Sequence, residues 1–181
     1  ATRDGRILWF TIEPEAPYLS PHVWPLARLV IRESSGDCNS WSYPQTIVQG
    51  TREYSVLSHV ALQLKSGDLI HIHVRFGGYD HIGHDPEKSS NPCFIQRSSD
   101  GGKSWSGSVL LPTAERYISD VLSITQISTG RVIYPFGFLS SEKGRFKVSV
   151  LYSDDEARTW ERSPHVLEVG GKGFESGASE P

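Results

Sequence analysis

Ser98-Ser99-Asp100-Gly101-Gly102-Lys103-Ser104-Trp105 is the stretch whose reading decides the fold. Its pattern is Ser-x-Asp-x-Gly-x-Ser/Thr-Trp, and each residue type has a physical reason. An aspartate in a tight turn accepts several backbone N–H bonds. Glycine supplies a positive φ at little steric cost. Tryptophan brings a large surface to bury. Ser153-Asp154-Asp155-Glu156-Ala157-Arg158-Thr159-Trp160 repeats the pattern, with Ala157 in the glycine place. Keeping a positive φ at Ala157 is expected to cost roughly 1 kcal/mol. Ser34-Ser35-Gly36-Asp37-Cys38-Asn39-Ser40-Trp41 is a worn copy, with Gly36 for the aspartate and Cys38 for the glycine. Its turn is therefore expected to be held differently.

A second element precedes each copy: an apolar run, a glycine turn and another apolar run. It reads Arg3-Asp4-Gly5-Arg6-Ile7-Leu8-Trp9, then Leu64-Lys65-Ser66-Gly67-Asp68-Leu69-Ile70, then Ile127-Ser128-Thr129-Gly130-Arg131-Val132-Ile133. The glycines stand 62 and 63 residues apart. Two elements recurring three times in the same order mark a repeat architecture. The flanks Ile7 to Ile12, His59 to Leu64, Leu69 to Phe76 and Lys147 to Tyr152 are rich in β-branched and aromatic residues and read as strands. Each repeat becomes a four-stranded antiparallel meander of about 60 residues, the size of a propeller blade. The expected fold is all-β, a β-propeller with about three blades present, over segments 1–50, 51–113 and 114–181.

Composition agrees with a folded chain. Hydrophobic residues make up 37% and charged residues 22% of 181, so disorder is not expected. The net charge of -3, with no basic run, argues against a nucleic-acid partner. No apolar run approaches the roughly 18–20 residues of a membrane helix. Cys38 and Cys93 fit neither a disulfide framework nor a metal site and read as free thiols. Ala1 leads at once into a hairpin, and Ser179-Glu180-Pro181 stops in mid-motif. Both ends are therefore expected to be truncations, with the rest of the propeller supplied by a longer chain.

A meander sends its loops alternately to two ends. Gly turns and Ser-x-Asp turns share one end. Glu13 to Ala27, Gly77 to Pro92, Pro112 to Asp120 and Glu168 to Glu180 share the other, and long loops on a rigid scaffold are where function sits. The second of these carries Tyr79, Asp80, His81, His84 and Asp85, preceded by Arg75, His71 and His73. Asp80 and Asp85 are candidates for acid/base work, against a plain turn-forming role. The four histidines lack thiolate or fixed carboxylate spacing, so no metal and no cofactor are expected. Arg116, beside Tyr117 and Asp120, is a candidate carboxylate ligand, against a surface arginine.

The Ser-x-Asp-x-Gly-x-Ser/Thr-Trp element resembles the Asp box, or bacterial neuraminidase repeat, of the sialidase superfamily. The resemblance implies that Ser98, Asp100, Gly102, Trp105, Ser153, Asp155 and Trp160 are structural and lie away from the active site. Thr129-Gly130-Arg131-Val132-Ile133-Tyr134-Pro135 and Leu151-Tyr152-Ser153-Asp154-Asp155 are similar to sialidase strands. Gly173-Phe174-Glu175-Ser176-Gly177-Ala178-Ser179-Glu180 then places Glu180 where sialidases carry the glutamate that activates a tyrosine nucleophile. Pro181 departs from the best-known members. In that frame the acid/base aspartate belongs to the Glu13–Pro25 loop, which has none, so Glu13 or Glu15 stands in. Glu13 is counted with Arg75 and Arg116 as substrate-binding. A frame shifted by one blade instead matches Arg75, with Asp80 or Asp85, to the family's first-blade arginine and acid/base loop. Both frames stay open.

The resemblance implies six blades and a retaining exo-sialidase that cleaves terminal sialic acid or a related acidic sugar from glycoconjugates. The nucleophilic tyrosine and two carboxylate-binding arginines would lie beyond this stretch, so the fragment alone is expected to be inactive. Its partner would be a carbohydrate, and the family favours a secreted or periplasmic place. The alternative is a non-catalytic propeller binding glycan or protein. A third reading is another glycosidase on the same scaffold, using a carboxylate pair.

Overall fold

The computed structural model describes residues 1–14, 27–51, 54–77, 92–113, 118–121, 123–139, 146–164 and 167–169. Among them there is no helix, and so none long and apolar enough to cross a membrane. The described residues form thirteen strands in three antiparallel sheets. The first sheet is β1 (Ile7–Pro14), β2 (Ala27–Ser34) and β3 (Gln45–Gln49), in that order. The second is β4 (Tyr54–Gln63), β5 (Leu69–Gly77), β6 (Cys93–Ser98) and β7 (Val109–Leu110).

The third sheet is a meander whose two outer strands are interrupted. β8 (Ile118–Val121) and β9 (Thr125–Gln126) both pair with β10 (Val132–Leu139). β11 (Phe146–Ser153) pairs with β10 and with both β12 (Glu161–Arg162) and β13 (Leu167–Val169). The first sheet has three strands among the described residues where the repeat leads one to expect four.

Strand alternation decides how the sheets stack. On β5, Ile70, Ile72 and Val74 point one way and His71, His73 and Arg75 the other. The first set joins Cys93, Ile95 and Leu111 against Val132, Tyr134, Phe136 and Leu151 of the third sheet, an apolar core whose members are nearly all fully buried. Burying Phe136 alone contributes about 2–3 kcal/mol. The second set faces the first sheet. There Phe10 stacks on His71 with centroids 4.7 Å apart and meets Trp105 edge-on at 5.7 Å. His71 and His73 are fully buried. Leu29, Val48 and Val56 form a smaller core beside them.

The three Gly turns are built alike. Thr2 N–H donates to Arg6 O (2.8 Å) and Gly5 N–H to Thr2 O (3.0 Å). Leu64, Asp68 and Gly67 repeat this, as do Ile127, Arg131 and Gly130. The glycines have φ of 84°, 101° and 96°. Gln63 and Gln126 each stand four residues before the turn glycine and donate to its carbonyl, at 3.1 and 2.8 Å. Their amide oxygens accept the N–H of the preceding turn, from Arg3 (2.8 Å) and Lys65 (2.7 Å). The Arg3 guanidinium then donates to Lys65 O (2.7 Å), and the Lys65 ammonium to Ser128 O (2.6 Å). One latch thus occurs twice and ties the three sheets along one rim.

The Ser-x-Asp turns lie on the same rim. Ser98 Oγ donates to Asp100 Oδ1 (2.8 Å) and accepts from Gly102 N–H (2.8 Å). Asp100 also accepts from Ser104 N–H (2.9 Å) and Oγ (2.5 Å), and Trp105 Nε1–H donates to Gly102 O (3.1 Å). Ser153, Asp155, Ala157 and Thr159 repeat the bonding. Ala157 keeps a positive φ of 63°. Trp160 meets Tyr134 edge-on at 6.5 Å. In the worn first turn the carboxylate comes one residue late. Asp37 accepts from Ser34 Oγ (3.2 Å) and Asn39 N–H (3.0 Å), while Cys38, at φ 57°, donates its N–H to Ser34 Oγ.

Candidate functional site

The loop end lies opposite this rim, where β1 runs into β2 and β5 into β6. Gly50 anchors the passage from the first sheet to the second there. Its N–H donates to Ala27 O at 3.0 Å, and a Cβ on it would stand 2.3 Å from that oxygen. Only glycine allows so close an approach of two backbones.

Arg75 sits near the end of β5, on the face toward the first sheet. Its guanidinium carbon lies 4.0 Å from the Phe94 ring centroid and 4.6 Å from that of Tyr54, on the two flanking strands. The cation is held by the electron-rich ring faces, each contact worth about 0.5–2 kcal/mol. Its Nε is buried and has no hydrogen-bond partner among the described residues. Arg75 N–H donates to Pro92 O (3.1 Å), so both ends of the 78–91 segment meet beside it.

Glu13 closes the same end of the first sheet. Its Oε2 accepts from Arg28 at 2.9 Å and its Oε1 from Arg32. The Arg28 hydrogen bond, followed by that of Arg32, holds its carboxyl below the usual range against some desolvation. Glu13 is therefore an anion at neutral pH. That suits an electrostatic role and disfavours donation of a proton. Arg28 and Arg32 are charged residues that the sequence reading missed. Their spacing of four along a strand puts both on one face, but only the β1–β2 register shows that Glu13 lies opposite.

The other sequence-derived candidates divide clearly. Asp80, Asp85, Arg116 and Glu180 lie outside the described residues. The loops Glu13 to Ala27 and Glu168 to Glu180 do so for most of their length. His71 and His73 are not loop lining: His71 stacks on Phe10, and His73 on Phe94 at 5.7 Å, inside the sheet interface. No group of three or more metal-ligating side chains gathers among the described residues. Cys38 is exposed and Cys93 buried, and both are free thiols. Burial pushes the Cys93 thiol up to about 11, so it is protonated and unreactive at neutral pH.

No family model matches this chain. No curated protein matches it in sequence either. Solved structures do. A sialidase from Trypanosoma rangeli superposes over 92% of this chain and 30% of its own, with a TM-score of 0.64 at 17% identity. The NanB sialidase from Streptococcus pneumoniae covers 93% of this chain and 43% of its own, with a TM-score of 0.66 at 12% identity. A family 117 glycoside hydrolase from Zobellia galactanivorans covers 91% and 53%, with a TM-score of 0.64 at 13% identity. The chain thus spans roughly a third to a half of the length of these structures. At such identities the likeness fixes the fold alone: stacked antiparallel sheets of the kind that sialidases and another glycoside hydrolase share.

Proposed function

We propose that this chain is the three-blade part of a six-bladed, sialidase-type propeller, with blade segments 1–50, 51–113 and 114–181. In this reading the whole protein is a glycoside hydrolase that releases terminal sialic acid or a related acidic sugar by a retaining mechanism. The single observation that carries it is Arg75. An arginine held against two aromatic rings is preorganised, so little entropy is lost when it binds. A buried Nε–H without a partner costs about 1–3 kcal/mol, and a carboxylate accepting a bidentate bond would offset that cost. Its place beside the segment bearing Asp80 and Asp85 suits an acidic sugar held next to an acid/base carboxylate. Arg116 is a second carboxylate ligand in this reading, and Glu180 activates the nucleophile. Glu13 acts through its charge, by holding Arg28 at the loop end. The rings of Asp100 and Asp155 bonds serve the scaffold. The sialidases among the structural neighbours support the substrate class, and the family 117 glycoside hydrolase among them leaves room for another glycosidase on this scaffold.

The intact natural protein should hydrolyse a fluorogenic sialoside. Arg75→Lys keeps the charge and loses the planar fork, and it should lower kcat/KM roughly a hundredfold. Glu180→Gln should lower kcat with KM little changed. Cleavage of a neutral fluorogenic pyranoside in place of the sialoside would move the protein to another glycosidase class. No turnover of either, with sialoside binding retained, would make it a binding propeller.

A further inference from the structure

Arg75 owes its place to its neighbours, and one of them is anchored in another sheet. Tyr54 opens β4, just after the chain has passed from the first sheet to the second. It is held at several points. Its main-chain oxygen accepts the Thr51 N–H at 2.8 Å. Its hydroxyl donates to Gln49 O, at the end of β3, at 3.3 Å. Its ring packs on the small core of Leu29, Val48 and Val56, and Leu29 and Val48 belong to the first sheet. The Arg75 guanidinium carbon lies 4.6 Å from the centroid of that same ring. Tyr54 thus touches both the seam between the two sheets and the cation. Phe94 is its counterpart on β6, 4.0 Å from the guanidinium. Its ring lies within 15° of parallel to that of His73, which is fully buried.

We propose that Tyr54 is the positioning residue of the loop-end site. Through its ring, the seam between the first and second sheets sets how firmly Arg75 holds a carboxylate. This rests on the role given above to Arg75 as the ligand of an acidic sugar. An arginine side chain has much rotamer freedom to lose when it is ordered. Ordering it in the free protein removes that cost from binding. Among the described residues the Arg75 Nε–H has no hydrogen-bond partner, so the two rings supply the order. Of the two, Phe94 is packed within its own sheet, on His73 of the neighbouring strand. Tyr54 alone carries the state of the first sheet to the cation. A contact of this kind acts on bound substrate and transition state alike, so it belongs in KM and not in kcat.

The test uses two readouts on the intact natural protein. The first is the NMR resonance of the Arg75 Nε–H without ligand, which should exchange slowly with water. Tyr54→Leu keeps an apolar side chain on Leu29 and Val48 and removes the ring. It should shift that resonance and speed its exchange about tenfold. The second is turnover of the fluorogenic sialoside. Tyr54→Leu should raise KM about tenfold, with kcat within about twofold. Tyr54→Phe keeps the ring and loses only the Gln49 bond, so it should match the natural protein in both. Phe94→Leu removes the other ring and should loosen the Arg75 resonance in the same way, which keeps the test decisive if Tyr54→Leu fails to fold. A lower melting temperature in Tyr54→Leu with the Arg75 resonance unmoved would make Tyr54 a packing residue and overturn the proposal. Equal effects of Tyr54→Leu and Tyr54→Phe would also overturn it. If the natural protein turns over no sialoside, the acidic-sugar reading fails, and the Arg75 exchange rates still decide the role of Tyr54.

Discussion

Asp100 and Asp155 are small anions with heavy duties. The Ser104 hydroxyl, then its N–H, holds the Asp100 carboxyl well below the ordinary value of 3.8. Thr159 does the same for Asp155. A carboxyl depressed in the folded state stabilises the protein above its unfolded pKa and loses that contribution as pH falls toward the folded value. The melting temperature of the intact protein should therefore be flat near neutrality and fall below about pH 4. Asp100→Asn should lower it by several degrees at pH 7 and flatten the acid decline, as thermal melts across pH would show. Ala157 carries a different balance. Its positive φ costs roughly 1 kcal/mol, but its methyl is buried in the apolar core, which is worth about 0.8 kcal/mol. Ala157→Gly should thus shift stability by less than about 0.5 kcal/mol in chemical denaturation, where the sequence alone implied a clear gain. The substitution pattern was legible and the compensating burial was not. Asp37 was missed for a related reason: a fixed template looks for the carboxylate at Gly36, one residue early.

At the scale of the element, one pair of positions shows how the repeats vary while keeping their shape. The residue after the turn glycine and the residue before the turn serine lie diagonally across the two paired strands. They are Arg6 and Glu33 in the first sheet, bonded at 2.8 Å. In the second they are Asp68 and Arg97, with the charges exchanged, at 2.6 Å. In the third they are Arg131 and Tyr152, a cation over a ring at 4.7 Å. In the first two sheets the arginine, from either strand, also donates to the carbonyl of the next sheet's Ser-x-Asp turn, at Gly101 or Glu156. Asp68→Arg with Arg97→Glu should therefore recreate the first sheet's pairing. The double variant should be more stable than the two single effects predict, by about 1 kcal/mol in a double-mutant cycle. The repeat period made these positions findable, since Gly5, Gly67 and Gly130 set the frame. The partners were not readable, because they follow from cross-strand register. The same holds for the Tyr54–Arg75–Phe94 clamp.

Over the whole molecule, the two sheet interfaces differ in kind. The second and third sheets meet through aliphatic and aromatic side chains, with Tyr134 and Phe136 fully buried. The first and second meet through stacked Phe10, His71, His73 and Trp105 and a smaller aliphatic core. Imidazoles bury less apolar surface and carry polar atoms that lose water. The first sheet should therefore open before the others, so that β2 amides exchange with solvent faster than those of β5 and β10 in native-state hydrogen exchange. Alternation on β5 placed the histidines on one face in the sequence. It did not say whether that face met a sheet or a loop, and the stacking of Phe10 on His71 shows that it meets a sheet.

The latch that joins the three Gly turns carries one more consequence. Its acceptors include the main-chain oxygens of Lys65 and Ser128, which every residue type would supply at those places. Spacing between neighbouring repeats is thus set far from the long connecting segments. Those segments are free to diverge over evolutionary time without disturbing the stacking, so a lineage can change what this scaffold recognises while inheriting its frame unaltered.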